Sequence, residues 1–261
     1  MTRRVRLDIQ YVGTSYAGWQ LQPGRPTIQG SLETALARLL QQPVRVHGSG
    51  RTDAGVHALG QVAHFDTGSA LATDRIRGAL NHFLPWDIQV RGAAEAPAAF
   101  HARESARSKE YRYKIHRGEV MPPDRYPFSW LATEGLDLGA MRRAAAGLIG
   151  THDFASLRCA GSSAETTVRT VFASEWLEEG PELVYRIVAD GFLYKMVRTI
   201  VGSLVEIGRG KRHESTILEL IRTQDRSLAG PVAPPRGLHL WEVLYDCEPV
   251  RGDGAGSVEG R

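Results

Sequence analysis

Alternating apolar and polar residues mark the first element of the chain. From Val5 to Tyr11 every second residue is apolar, and charged or amide side chains occupy the positions between them. A period of two residues is typical of a β-strand with one buried face. The same kind of pattern and the flanking turn residues predict further strands over residues 44–47, 61–65, 87–91, 108–117, 170–178, 183–190 and 238–245.

Apolar residues three or four positions apart predict five helices, over residues 28–39, 74–84, 138–148, 193–207 and 214–223. Thr27 and Asp137 stand just before two of these segments, where a side-chain oxygen can accept a hydrogen bond from the first helical turn. Strands and helices do not alternate regularly along the chain. This order favours an α+β fold with mostly antiparallel sheets flanked by helices.

The elements fall into two similar runs, separated by a boundary region over residues 92–107. That region begins with a segment rich in Ala, Gly and Pro, residues 92–99. We therefore predict an N-terminal half over residues 1–105 and a C-terminal half over residues 106–248. The Gly-rich residues 249–261 are predicted to form a flexible tail.

The composition is that of a globular protein. Of the 261 residues, 42% are hydrophobic and 23% are charged, which argues against a disordered or fibrous chain. No apolar stretch approaches the roughly 18 residues of a membrane span, and the N-terminus lacks the apolar core of a secretion signal. Cys159 and Cys247 have no neighbouring cysteine, so we predict neither a disulfide framework nor a cysteine zinc site, and a cytoplasmic location.

The formal net charge of +3 is too small to identify a nucleic-acid partner. Only four of the 32 basic residues are lysine. Arginine is suited to phosphate and base recognition because its planar fork donates two parallel hydrogen bonds. A genome that favours arginine codons explains the bias more simply, so composition leaves the partner open.

The glycine-rich residues 48–57 contain the candidate chemistry. A phosphate-binding loop is excluded because Val56 and His57 stand where a Lys and a Ser or Thr would follow the second glycine. Ser49 lacks the second glycine of a nucleophile elbow. His47, His57 and His64 lack the helical spacing of a zinc site, and we predict no metal.

Asp53 is the remaining candidate in this segment. An arginine neighbour, Arg51, favours the ionised form of a carboxylate, which can act as a nucleophile or a base. The alternative is that Asp53 caps a turn, as aspartate commonly does in glycine-rich loops. Taken alone, the residue types favour the turn.

The sequence around Asp53 resembles the signature of the tRNA pseudouridine synthase A family, Gly50-Arg-Thr-Asp-Ala-Gly-Val-His57. Other blocks similar to that family follow in the family's order: Tyr11-Val-Gly-Thr-Ser-Tyr-Ala-Gly-Trp-Gln20, Thr27-Ile-Gln29, Asn81-His-Phe-Leu-Pro85, Phe100-His-Ala-Arg103, Tyr111-Arg-Tyr113, His152-Asp-Phe154, Gly191-Phe-Leu-Tyr-Lys-Met-Val-Arg198 and Ala229-Gly-Pro-Val-Ala-Pro-Pro235. The resemblance extends to about Tyr245. So many blocks in one order are far more specific than the signature alone.

The resemblance implies an isomerase of RNA. In that family the N1–C1′ bond of a uridine breaks, the uracil turns, and C5 bonds to C1′, with no cofactor. It implies Asp53 as the catalytic residue, Tyr111 as the tyrosine that stacks on the uracil, and Arg198 as the arginine that pairs with the carboxylate. Arg51 is expected to fill the space left by the flipped base or to hold its phosphate. Attack of Asp53 on C1′ and removal of the 2′ proton are both open.

The resemblance also implies the architecture and the partner. It implies two RRM-like halves that face each other across a central active-site cleft, a homodimer, and uridines 38, 39 and 40 of the tRNA anticodon stem-loop as substrate. Contacts to RNA are expected from Phe100, His101, Ala102, Arg103 and Lys195, and from the basic residues of the strand over 107–114. The segment over residues 158–169 departs from a common family pattern, which leaves a tRNA contact there in doubt.

Two other functions stay open. A protein of this family could bind RNA without modifying it, although a binding protein has no need for Asp53, Tyr111 and Arg198 together. The same chemistry could also act at another position in RNA.

Overall fold

The structure, a computed structural model, describes residues 2–133, 135–159 and 165–246 of the chain. The strands are β1 (Arg3–Tyr11), β2 (His47–Gly48), β3 (His57–Thr67), β4 (Ile88–Ala96), β5 (Ala106–Arg117), β6 (Trp130–Ala132), β7 (Gly150–Asp153), β8 (Val168–Glu179), β9 (Glu182–Ala189) and β10 (Leu238–Tyr245). The α-helices are α1 (Ile28–Leu40), α2 (Thr73–Phe83), α3 (Leu138–Ala146), α4 (Met196–Gly208) and α5 (Thr216–Thr223).

These ten strands form one sheet in the order β4-β1-β3-β10-β5-β9-β8-β7, with β2 paired to β3 and β6 paired to β5. In the described residues the parallel pairs are β3–β10 and β5–β6, and the other pairs are antiparallel. The prediction of an α+β fold with a mostly antiparallel sheet flanked by helices is confirmed.

The two halves expected from the sequence share this sheet. Strand β10, the last strand of the described chain, lies in the middle of the sheet between β3 and β5. It pairs with β3 at only two positions, His239 with His57 and Leu240 with Ala58. The connection between the N-terminal and C-terminal strands is therefore short, and contacts outside the sheet have to fix their relative position.

The apolar face of the sheet continues across this junction. Leu240 pairs with Ala58 on one side and with Tyr111 on the other, and Leu240 is fully buried. In the N-terminal half this face carries the fully buried Leu7 and Ile9, which belong to the same core as the apolar residues of α1 and α2. Each such side chain contributes about 1.5–3 kcal/mol relative to exposure.

A pair of histidines fills the opposite side of the junction. The rings of His57 and His239 stack with their centroids 4.9 Å apart. His57 Nδ1 accepts a hydrogen bond from the Gly13 N–H, and the Nε2 atoms of the two histidines lie 2.9 and 3.1 Å from the carbonyl oxygens of Pro127 and Phe128. Burial lowers the pKa of His57 and lowers that of His239 to about 3. Both rings are therefore neutral at pH 7.

Most sequence-predicted elements occur close to their expected bounds, and the differences are local. The strand expected over residues 44–47 is reduced to His47–Gly48, and β6 and β7 were not predicted because each has only three or four residues. Strand β4 continues to Ala96, so residues 92–96 of the expected boundary are strand and only residues 97–105 connect β4 to β5. The division at residue 105 stays a prediction, and the tail over 249–261 lies outside the described residues.

Helix α4 begins at Met196 rather than at residue 193, because Lys195 has a left-handed backbone with φ 60°. Farther along this helix, Gly202 lies directly under the loop over residues 229–235. A Cβ atom at Gly202 would overlap the carbonyl oxygen of Pro231. The loop is held to the helix by a 2.9 Å hydrogen bond from the Gly230 N–H to Ser203 Oγ.

We expect Gly202→Ala to lower the free energy of unfolding by about 1–3 kcal/mol, because helix and loop must separate to admit the methyl group. Thermal unfolding should show this as a fall in Tm of several degrees. The matched control is Gly78→Ala in α2, where the new methyl group meets open space and alanine is favoured by up to about 1 kcal/mol. Equal Tm values for the two variants would contradict the close approach.

Candidate active site

The loop over residues 48–57, between β2 and β3, is anchored by buried side chains. Ser49 Oγ donates to Gln61 Oε1 over 2.7 Å, and Gln61 Nε2 donates to the Gly50 carbonyl oxygen over 3.0 Å. Ser49 and Gln61 are both fully buried. The serine that the sequence offered as an alternative nucleophile is therefore an anchor of the loop.

A second anchor joins this loop to the segment after β1. Thr52 Oγ1 lies 2.7 Å from the hydroxyl of Tyr11, and the Trp19 N–H donates to the Thr52 carbonyl oxygen over 3.0 Å. Gly18 has φ +102°, and a Cβ atom there would come within 2.5 Å of the same carbonyl. Burial raises the pKa of Tyr11 to about 12, so its hydroxyl is neutral at pH 7. Glycine is required at residue 18 for both conformation and close approach.

Asp53 forms an ion pair with Arg198, which is 145 residues later in the chain. Arg198 Nη1 donates to Asp53 Oδ2 over 2.7 Å, and the two side chains are 11% and 18% exposed, respectively. Arg198 Nε also donates to the Ala233 carbonyl oxygen over 2.8 Å. The sequence neighbour Arg51 is exposed and makes no ion pair within the described residues. The structure thus brings Asp53 and Arg198 together, as the family resemblance implied.

Asp53 opens into a cleft of about 500 Å³, bounded by its own loop, by β5 and by the segment that precedes α4. Tyr111 lies in the wall of this cleft and is 7% exposed. Its ring packs edge-to-face against Phe192, with centroids 5.0 Å apart. Burial, with smaller effects of Tyr11 and Asp53, raises the pKa of Tyr111. Its hydroxyl is therefore protonated at neutral pH and acts as a hydrogen-bond donor.

Three other predicted residues also line the cleft: Arg51, Arg103 and Lys195. Lys195 precedes α4, and its Nζ lies 5.0 Å from the ring centroid of Tyr194. Arg103 follows Ala102 in the connection between β4 and β5. The structure therefore gathers most of the candidate residues around one carboxylate.

The remaining three, Phe100, His101 and Ala102, are not in the lining of this cleft. Phe100 packs against Tyr245 with centroids 5.2 Å apart. His101 Nδ1 accepts from the backbone N–H groups of Arg103 and Glu104. Ala102 is fully buried and accepts a hydrogen bond from the Tyr245 hydroxyl. In this structure these residues hold the connection that presents Arg103 to the cleft.

The cleft carries a strong excess of positive charge. Among the described residues, the charged lining consists of one carboxylate, Asp53, and five cations: Arg25, Arg51, Arg103, Lys109 and Lys195. The prediction from sequence treated Lys109 together with the other basic residues of its strand. The signal was present, because Lys109 is two residues before Tyr111 and so shares its face.

Within the described ranges no group of three or more His, Cys, Asp or Glu side chains is placed to hold a metal ion. His47 and His64 do stack, with centroids 5.0 Å apart, and His64 Nδ1 accepts from the Ala102 N–H. Burial lowers the pKa of His64 to about 4. A search of the same ranges for a helix that is long and apolar enough to cross a membrane finds none.

Comparison with known proteins places this site in a family. The sequence pattern that defines the tRNA pseudouridine synthase family matches residues 9–103 and 144–246, which is most of the chain. The chain belongs to this family. The matched ranges include Asp53 and Arg198, the two residues that the structure pairs.

Curated members of the family are similar over nearly their whole length. The chain is 48% identical over 244 residues to tRNA pseudouridine synthase A of an Exiguobacterium species, covering 94% of this chain and 98% of that protein. It is 48% identical over 249 residues to tRNA pseudouridine synthase A of Geobacillus kaustophilus, covering 95% and 96%. A solved Cbf5-Nop10-Gar1 complex is similar over 77% of this chain and 54% of that one, with 13% identity and a TM-score of 0.32, too low to add to the assignment.

We expect Arg198→Met to lower the free energy of unfolding by about 1–3 kcal/mol. In this variant the largely buried Asp53 carboxylate would remain without its cation. Urea denaturation measures the change. Lys195→Met is the matched control in the same cleft, and its effect should stay within about 0.5 kcal/mol because Lys195 makes no ion pair in the described residues. Equal losses in the two variants would count against the ion pair.

Proposed function

We propose that this protein converts uridine to pseudouridine in tRNA, with Asp53 as the catalytic residue. The observation that carries the proposal is the largely buried Asp53–Arg198 pair at the wall of a cationic cleft. Family membership and relatives named tRNA pseudouridine synthase A support the reaction and the substrate. The cations of the cleft suit the phosphates of RNA, which dominate the affinity of such complexes.

The geometry assigns separate tasks to the two oxygens of Asp53. Oδ2 is held by Arg198, whereas Oδ1 makes no hydrogen bond to the described residues and is available to the cleft. The sugar becomes electron-poor as the N1–C1′ bond breaks, and a fixed carboxylate stabilises that charge. An ionised oxygen at this position fits attack on C1′ and removal of the 2′ proton equally. After the uracil turns, the C5–C1′ bond forms as the Asp53–C1′ bond breaks or, on the other route, as the 2′ proton returns. The proton lost from C5 is balanced by one gained at N1.

The uracil has to leave the helical stack before it can turn, because a paired base is held in place. A cleft of about 500 Å³ is large enough for one nucleotide. Tyr111, already held by Phe192, offers its ring to the extruded uracil. The exposed Arg51 lies at the same cleft, where it fills the space left by the base or holds its phosphate.

The finer features come from the family resemblance. They are modification at uridines 38, 39 and 40 of the anticodon stem-loop, a homodimer, and a cytoplasmic location. A tRNA substrate supports the location. The single carboxylate in the lining of the cleft argues against a protein that only binds RNA, because an anionic group there weakens binding to phosphates.

We expect Asp53→Asn to keep the fold and tRNA binding and to abolish pseudouridine formation, because an amide can neither attack C1′ nor accept the 2′ proton. Product is measured by mass-spectrometric mapping after a label that reacts with pseudouridine. Asp74→Asn, at an 86% exposed carboxylate in α2, is the control and should remain active.

Three outcomes separate the alternatives. Full activity of Asp53→Asn would overturn the assignment of the catalytic residue. Binding by the unaltered protein without any modification would favour the RNA-binding alternative. Modification outside positions 38, 39 and 40 would favour another substrate position.

We expect Tyr111→Phe to keep RNA affinity, because the ring remains, and to slow conversion by about a hundredfold because the hydroxyl no longer moves a proton. Tyr111→Leu should also weaken binding by about tenfold or more, since the stacking ring is lost. Single-turnover kinetics and binding titrations separate the two effects. In the control Tyr113→Phe, the lost hydroxyl donates to the Pro234 carbonyl oxygen, and conversion should continue. An active Tyr111→Phe would restrict Tyr111 to stacking.

A further inference from the structure

Lys109 contributes to the cleft an ammonium group that is in no ion pair with the described residues. It lies on β5, two residues before Tyr111, and lines the same cleft as Asp53. Its Nζ lies 3.8 Å from where a Cβ atom of Gly50 would be, next to the catalytic loop. In the part of the chain that the structure describes, Lys109 Nζ makes no hydrogen bond and no ion pair.

The surroundings of Lys109 disfavour its charge. Burial, followed by the charges of Arg103 and Arg169, lowers the pKa of Lys109 to about 8, against a smaller opposing effect of Asp190. Arg103 lines the cleft beside it and also makes no side-chain ion pair in the described residues. Two neighbouring cations that repel each other are stabilised when an anion binds between them.

Two other basic residues of β5, on its opposite face, have carboxylate partners, unlike Lys109. Arg112 and Lys114 lie on the opposite face of the strand. Arg112 Nε lies 2.7 Å from Glu110 Oε1, and Lys114 Nζ lies 3.8 Å from Glu182 Oε2. Arg107 and Arg117, near the two ends of β5, are also paired, with Asp246 and Glu178. Lys109 thus differs from the other Lys and Arg residues of β5 in making no ion pair within the described residues.

We propose that Lys109 and Arg103 bind a phosphodiester that flanks the flipped uridine, and that Lys109 thereby positions the ribose against Asp53. The inference rests on the proposed function. A phosphodiester carries a full negative charge that both cations can contact, whereas a uracil carbonyl is neutral. Lys109 and Tyr111 are about 7 Å apart along the strand, so one nucleotide can place its base on the tyrosine and its phosphate on the lysine.

The test removes the charge from each partner in turn. The RNA probe is an anticodon stem-loop with one target uridine, in which a neutral methylphosphonate replaces the 5′ or the 3′ phosphodiester of that uridine. The protein carries Asp53→Asn to prevent turnover, with or without Lys109→Gln. Each change alone should weaken binding by about tenfold, as for loss of a charge-assisted contact. At one of the two linkages the combined changes should cost no more than either single change, because they remove the same contact.

Two further variants separate positioning from general effects. Lys211→Gln, at a 59% exposed lysine outside the lining of the cleft, should leave affinity for every probe unchanged. Lys109→Arg should restore affinity for the natural linkage. The affinity of the Asp53→Asn protein that keeps Lys109 should fall as pH rises from 7 to 9. The affinity of the protein that also carries Lys109→Arg should stay constant. The charged groups that act on the Lys109 ammonium group are Arg103, Arg169 and Asp190.

The outcomes distinguish this inference from the function on which it rests. If the unaltered protein forms no pseudouridine, the proposed function fails and the inference fails with it. If it forms pseudouridine but the Lys109 and linkage changes are additive at both linkages, only the phosphate site is overturned. Equal losses from Lys109→Gln and Lys211→Gln would also overturn it.

Discussion

The ion pair between Asp53 and Arg198 is the interaction on which the site depends. Asp53 lies on the loop between β2 and β3, and Arg198 lies on α4. Strands β3 and β10 pair at only two positions, and the ion pair adds a direct contact between the loop that carries Asp53 and α4. Arg198 extends the connection to Ala233 through its Nε atom. Loss of either charge leaves its largely buried partner uncompensated, which costs more than an exposed ion pair contributes.

Close backbone approach is the second constraint, and Gly18 and Gly202 are two of the glycines that allow it. Gly18 lets the segment after β1 contact the carbonyl of Thr52, next to Asp53, and Gly202 lets the loop over residues 229–235 lie on α4. Both contacts bring a separate segment within reach of the ion pair. These four stretches of chain join β5, which carries Tyr111, in forming the site, and each of the two glycines allows two of the stretches to approach closely.

The sequence predicted those features that depend on local pattern. Strand β1 follows from its alternation, and the starts of α1 and α3 follow from Thr27 and Asp137, which cap them as expected. The central position of β10 could not be predicted, because its pairing with β3 and β5 depends on residues far apart in the chain. The residues next to Asp53 in the sequence could not distinguish a reactive carboxylate from a turn residue, because its partner Arg198 is also distant in the chain. Only the family resemblance connected Asp53 with Arg198.

The distribution of charge follows from the same alternation that builds the sheet. A strand in the middle of a sheet presents successive residues to opposite faces, so the basic residues of β5 are divided between two environments. On the reverse face Arg112 and Lys114 pair with Glu110 and Glu182. On the cleft face Lys109 makes no ion pair with a carboxylate of the described residues, and it joins other cations around Asp53. A chain with a net charge of only +3 can therefore offer RNA a strongly positive cleft, because its acidic residues neutralise basic residues elsewhere in the structure.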